Sequence, residues 1–221
     1  LIIYSNSCSY GVLSDGPVYS DLVAKNLHAE LINHGLSGSC NERIFRTTVR
    51  DILNILGAHK SNDVLVLIGL TNTFRSEYWS TLPGKYQDGH FRSFTVSDQS
   101  GAAKNYQQEF YKMYDQEAAI TNLLHQLVML TGFLKSQKVK YLIWTNTPHL
   151  TPIDFDADFV QPFYKSITQD ADVLTLFDFN FCEFARAHGH PTMDQPYEQG
   201  GHPNAQAHKD FADFLMTKIN L

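Results

Sequence analysis

Two near-continuous apolar runs, Val64-Leu65-Val66-Leu67-Ile68-Gly69 and Tyr141-Leu142-Ile143-Trp144, read as strands buried on both faces of a parallel sheet. A shorter run, Leu1-Ile2-Ile3-Tyr4, opens the chain, and weaker strand signals lie at residues 29–33 and 173–177. Helical patterns fall between them, at about residues 18–27, 42–58, 105–137, 180–187 and 205–219. The longest carries Leu123, Leu124, Leu127, Val128, Leu130 and Leu134 as a stripe of helical period, and Gly132 inside it weakens the case for an unbroken helix.

Strand and helix therefore alternate, which predicts an α/β fold. The expected form is a three-layer α/β/α sandwich around a roughly five-stranded parallel sheet, in one domain over residues 1–221. Ligands in such folds collect beyond the carboxyl ends of the strands. The turns after Tyr4, Asn33, Ile68 and Trp144 are thus where chemistry is expected. Residues 76–104 break the periodicity and carry Gly84, Gly89, Gly101 and several aromatics. They read as a long loop insertion, either a lid or substrate wall beside those turns or a surface excursion without a role.

Composition narrows the function classes. The 221 residues are 43% hydrophobic and 18% charged, which suits a globular domain with a substantial core. A formal net charge of −6 without a basic run argues against nucleic acid as partner, because phosphate neutralisation needs clustered Lys and Arg. Cys8, Cys40 and Cys182 are odd in number and widely spaced, so they read as reduced thiols. No run approaches the ~20 apolar residues of a membrane span. The opening residues lack a signal-peptide pattern, which leaves the cytoplasm as the default expectation.

Four segments carry candidate chemistry. Ser5-Asn6-Ser7-Cys8-Ser9-Tyr10-Gly11 follows the first strand, with Ser7 as the preferred nucleophile; the bland reading is a serine-rich turn. Asn33-His34-Gly35-Leu36-Ser37-Gly38-Ser39-Cys40-Asn41 is a small-residue loop whose N–H groups suit a developing oxyanion, or a βα turn with Ser39 or Asn41 as helix cap. After the third strand, Thr71 or Asn72 offers a further oxyanion donor. Arg75 there meets an anionic or carbonyl group of a substrate, or pairs with a structural carboxylate. Near the other terminus, Gly200-Gly201-His202-Pro203-Asn204 presents His202 on a turn fixed by proline, with Asn204 capping the last helix. His188, His190 and His208 lie close by in sequence, but their spacing matches no common zinc pattern.

In this order the four segments resemble the SGNH/GDSL hydrolase superfamily, in the branch written G-C-S-F-T-x-G, G-x-S-N, G-x-T and H-P-N. Residues 5–11, Gly38-Ser39-Cys40-Asn41, the Thr71 turn and His202-Pro203-Asn204 carry the likeness. The resemblance implies Ser7 as nucleophile, His202 as base, Gly38 in the oxyanion hole, and no cofactor or metal. Two departures stand out. Thr71 occupies the place of the family's usual Asn, and Gln199 occupies the place of the acid three residues before the histidine. The orienting group for His202 is then Glu198, Asp194 or a backbone carbonyl.

The expected function is a serine ester hydrolase working through an acyl-enzyme, in which Ser7 and His202 share a hydrogen bond. The expected substrate is a small-molecule or carbohydrate ester, with removal of acetyl groups from a carbohydrate preferred because Tyr78, Trp79, Tyr86 and Phe91 suit sugar rings. The alternative is a catalytically degenerate SGNH-like binding module for carbohydrate or assembly, which Gln199 favours.

Overall fold

The computed structural model describes residues 1–8, 11, 13–79, 91–94, 102–146, 157–174, 180–194, 196 and 201–219. In chain order its elements are β1 (Ile2–Ser7), α1 (Tyr19–Asn26), β2 (Glu30–Asn33), α2 (Asn41–Leu56), β3 (Val64–Leu70), β4 (Ser76–Trp79) and β5 (Phe91–Phe94). There follow α3 (Ala102–Met113), α4 (Gln116–Ser136), β6 (Lys140–Thr145), α5 (Gln161–Thr168), α6 (Phe181–Ala187) and α7 (Ala205–Met216). Four strands form a parallel sheet in the order β2-β1-β3-β6. Beyond these four strands, Val173 and Asn180 each make a parallel bridge to β6. Residues 175–177 of the expected fifth strand lie outside the described residues.

The alternation of side chains along the strands builds one core on each face. Tyr4, Val66, Ile68 and Ile143 pack with Ile44 of α2 and with Leu124 and Leu127 of α4. Ile3, Leu65, Leu67 and Trp144 pack on the opposite face with Val23 of α1, Phe181 of α6 and Phe211 of α7. This is the three-layer sandwich that the alternating pattern predicts.

The structure departs from the sequence reading in three places, each for a local reason. The stretch 105–137 is two helices, and the break falls at Asp115 rather than Gly132. The Asp115 carboxylate accepts the Ala118 N–H at 2.8 Å, so a strong N-cap restarts the helix there. The segment 76–104 holds an antiparallel hairpin, β4 with β5, pinned to α2 by a forked Arg46–Glu77 pair at 3.0 and 2.7 Å. Strand β1 continues past its apolar run as far as Ser7. Its backbone there remains paired, the Ser5 and Ser7 carbonyls accepting the N–H groups of His34 and Leu36 at 2.8 and 3.0 Å.

Register then aligns Ser7 of β1, Gly69 of β3 and Trp144 of β6 in one row across the sheet. A side chain at Gly69 has no room. A Cβ built there would stand 2.8 Å from Oδ1 and 2.9 Å from Cγ of Asn146, which lies across the strand. Gly69→Ala should therefore destabilise the fold by about 1–3 kcal/mol through overpacking, read as a lower urea midpoint at unchanged slope.

Candidate active site

Ser7 is the last residue of β1, and its side chain is fully buried. Its hydroxyl oxygen accepts a hydrogen bond from Asn146 Nδ2 at 2.7 Å. The expected hydrogen bond to His202 is not the one Ser7 makes among the described residues. Gly11 folds back through its N–H to the Cys8 carbonyl at 3.0 Å, and a Cβ on Gly11 would stand 2.6 Å from Ser7 Cβ and 2.9 Å from the Tyr19 hydroxyl. Ser9, the remaining serine of this segment of the sequence, lies outside the described residues.

Two groups bracket the Ser7 oxygen that the sequence reading did not identify. Asn146 follows β6 and is buried, with its amide oxygen accepting from Trp144 Nε1 at 2.9 Å. Its backbone is fixed at both ends, N–H to the Leu70 carbonyl at 2.9 Å and C=O to the Cys182 N–H at 3.1 Å. Tyr19 opens α1 and is buried against Trp144, Phe181 and Phe211. Burial pushes its phenol well above the usual range, with contacts to Ser7 and Asn146 pulling the other way. A signal for Asn146 was present in the sequence, since it stands in the turn after Trp144 where chemistry was expected.

His202 and Asp194 form a two-point pair. Asp194 Oδ2 meets His202 Nδ1 at 2.6 Å, and Asp194 Oδ1 accepts the His202 backbone N–H at 2.8 Å. A carboxylate only accepts, so Nδ1 carries a proton, and in a neutral ring Nε2 is then the basic nitrogen. Of the two carboxylates considered, Asp194 is the one on His202; Glu198 lies outside the described residues. Among the described residues no three His, Cys, Asp or Glu side chains are gathered as a metal site.

The second and third segments are clamped together. Asn41 is the first residue of α2 rather than its cap, which is Cys40. Its side chain bonds both backbone groups of Thr71, Nδ2 to the carbonyl and Oδ1 from the N–H, each at 2.9 Å. With its N–H thus taken, Thr71 keeps a buried hydroxyl that has no partner among the described residues, and the Asn72 amide oxygen is in the same condition. Gly38 sits at a left-handed φ of 80°, a conformation glycine adopts without strain. Arg75 reaches the Ser39 carbonyl at 3.4 Å and lines a cavity of about 220 Å³ with Asn41, Glu42, Tyr114 and Asn122. Burial raises the Glu42 carboxyl, and its Oε2 has no hydrogen-bond partner among the described residues.

This is the fold of the SGNH/GDSL hydrolases. The chain is similar over 99% of its length and 99% of the other's to a protein assigned to the lipolytic G-D-S-L family, from Desulfitobacterium hafniense DCB-2, at a TM-score of 0.53 and 10% identity. It is also similar to the acetyl xylan esterase AlAXEase, over 100% of both chains at 16% identity and a TM-score of 0.48. A carbohydrate esterase whose active site displays divergent catalytic and non-catalytic binding functions is similar at 14% identity and a TM-score of 0.47, over 98% of this chain and 67% of that one. By sequence the chain belongs to the family of unknown function DUF6071, whose model matches residues 11–161. That span holds Gly38, Asn41, Thr71 and Asn146; Ser7, Asp194 and His202 lie outside it. No curated protein matches the chain.

His208 links α7 to Tyr19, the residue beside Ser7. It lies fully buried on α7, where its Nδ1 accepts the Tyr19 N–H at 3.3 Å. Burial lowers its pKa from 6.5 to about 4; the Leu13 carbonyl and Asp15 oppose that shift and His202 adds to it. The unfolded chain takes up this proton below pH 6.5, whereas the folded protein resists it until about pH 4. The contribution of a neutral His208 is therefore complete above pH 6.5 and is lost as pH falls to about 4. Unfolding titrations between pH 7 and 4 should show a loss of order 3 kcal/mol from this group. His208→Gln should remove that part of the slope.

Proposed function

We propose that the protein is a serine ester hydrolase in which Ser7 is the nucleophile, His202 the general base and Asp194 the carboxylate that orients it. The observation carrying this reading is the two-point Asp194–His202 pair, which fixes the tautomer that leaves Nε2 able to take a proton. In the first half-reaction the Ser7 oxygen bonds to the acyl carbon while its proton passes to His202. The alcohol then leaves with that proton. In the second half-reaction water replaces the alcohol and the same base is used again. The half-buried Gly38 N–H, which has no acceptor among the described residues, and the unpartnered Thr71 hydroxyl are the donors proposed for the oxyanion.

The proposed substrate is a short acyl ester, an acetyl group on a hydroxyl-rich alcohol. Support comes from the exposed Trp79 with Phe91 edge-on at 5.0 Å, and from the cavity carrying Arg75, Glu42 and Asn122, whose polar groups suit hydroxyls. Of the other two aromatics, Tyr78 stacks on Tyr106 at 5.1 Å, and Tyr86 lies outside the described residues. One observation favours a second reading, a binding module without turnover: Ser7 is fully buried, and no hydrogen bond joins it to His202 among the described residues.

A fluorophosphonate probe separates the two, because it labels only an activated serine. The esterase reading expects labelling that maps to Ser7, is abolished in His202→Ala, and is slowed about 10²- to 10⁴-fold in Asp194→Asn. Folded protein that never labels supports the binding module. Among nitrophenyl esters, acetyl should be cleaved faster than butyryl or longer chains; preference for a long chain rejects the acetyl-ester substrate.

A further inference from the structure

Asn146 is held more firmly than a residue with a purely local role requires. Its amide oxygen accepts from Trp144 Nε1. An indole nitrogen only donates, so that bond fixes which end of the carboxamide is oxygen, and the NH2 must face Ser7. The bond at 2.7 Å therefore runs from Asn146 to the serine oxygen, which acts as acceptor. The Ser7 proton is left for another group, as nucleophilic attack requires. Gly69 clears the path for the carboxamide, and the Leu70 carbonyl and Cys182 N–H fix the backbone beneath it.

From this geometry, and resting on the esterase reading, we infer that Asn146 is a catalytic residue: the side-chain donor to the negative charge formed when Ser7 attacks an ester. In that step the bond from Ser7 oxygen to the acyl carbon forms, the carbonyl π pair moves to its oxygen, and the serine proton goes to His202. The serine oxygen and the new oxyanion are then attached to one tetrahedral carbon. An N–H already on the first lies within reach of the second. The donor is pre-oriented and buried, so it needs no reorganisation when charge develops, the condition under which such donors act most strongly. Asn146 also arrives from β6, a different strand from β3, which leads to the Thr71 donor.

The test compares wild-type protein with Asn146→Asp, which can still accept from Trp144 but cannot donate to Ser7, and with Asn146→Ala. Hydrolysis of nitrophenyl acetate should fall about 100- to 1,000-fold, in kcat rather than KM. Affinity for an alkyl boronic acid, which forms a tetrahedral adduct on serine, should fall by a similar factor. A role confined to packing would instead lower thermal stability and leave boronate affinity and kcat in the surviving folded protein unchanged, which overturns the inference. Should neither variant fold, the side-chain amide proton of Asn146 in wild-type protein decides: it should move downfield when the boronate binds, and an unmoved resonance overturns the inference. Wild-type Ser7 that forms no adduct overturns the esterase reading and this inference with it. An adduct indifferent to Asn146 overturns the inference alone.

Discussion

One carboxamide laid across a glycine ties together the carboxyl edge of the sheet. Asn146 reaches Ser7 of β1 through its nitrogen, Trp144 of β6 through its oxygen, and β3 and α6 through its backbone. In a buried place each of those polar groups costs about 1–3 kcal/mol if left without a partner, so their positions are mutually determined. The in-register row of Ser7, Gly69 and Trp144 is what makes the span short enough for one side chain. Tyr19 then closes the serine from the α1 side, and its own place is set by the imidazole of His208 and the aromatic core beneath.

The opposite face of β1 is held by a second polar system. Asn6 Nδ2 lies within 3.2 Å of the Tyr4 hydroxyl, the Ile44 carbonyl, and the hydroxyls of Thr47 and Thr48. The Tyr4 hydroxyl bonds Asp51, which also takes His34 at 2.6 Å and Arg50 at 2.7 Å. Burial works against charge on Asp51, yet its hydrogen bonds with His34 and Arg50 hold the carboxyl down to about 2. The described residues thus hold three His–Asp pairs, the third being His190–Asp210 at 2.9 Å, and they serve different elements. His34–Asp51 fastens the end of β2 to α2, whereas His202–Asp194 stands on the turn before α7. Geometry separates them; residue type does not.

The sequence shows the sandwich clearly because strands buried on both faces carry unbroken apolar runs, as Val64–Leu70 does. It shows the end of β1 poorly. Ser5, Asn6 and Ser7 are all fully buried, and burial there follows from hydrogen bonding and tight turns, which leave no hydrophobic period to read. The hairpin of β4 and β5 was hidden because its two strands are four residues each and separated by a long connection. Asn41 looked like a helix cap, and its side chain instead clamps Thr71, thirty residues away in sequence. A pairing across that separation is set by the fold and leaves no local pattern.

The place of the carboxylate beside His202 follows from the same kind of constraint. An acid three residues before a histidine reaches it within one turn, and Gln199 removes that route. Asp194 is eight residues away in sequence, yet Thr192 and Pro203 pair in an antiparallel bridge and the Met193 N–H bonds the His202 carbonyl at 2.9 Å. That pairing sets Asp194 and His202 side by side as neighbours on opposing strands would be. One carboxylate oxygen then takes the backbone N–H and the other the ring, so the side chain and the main chain of His202 are oriented by one group. Loss of the acid at the local spacing therefore does not remove the orienting charge; the chain supplies it by folding back on itself.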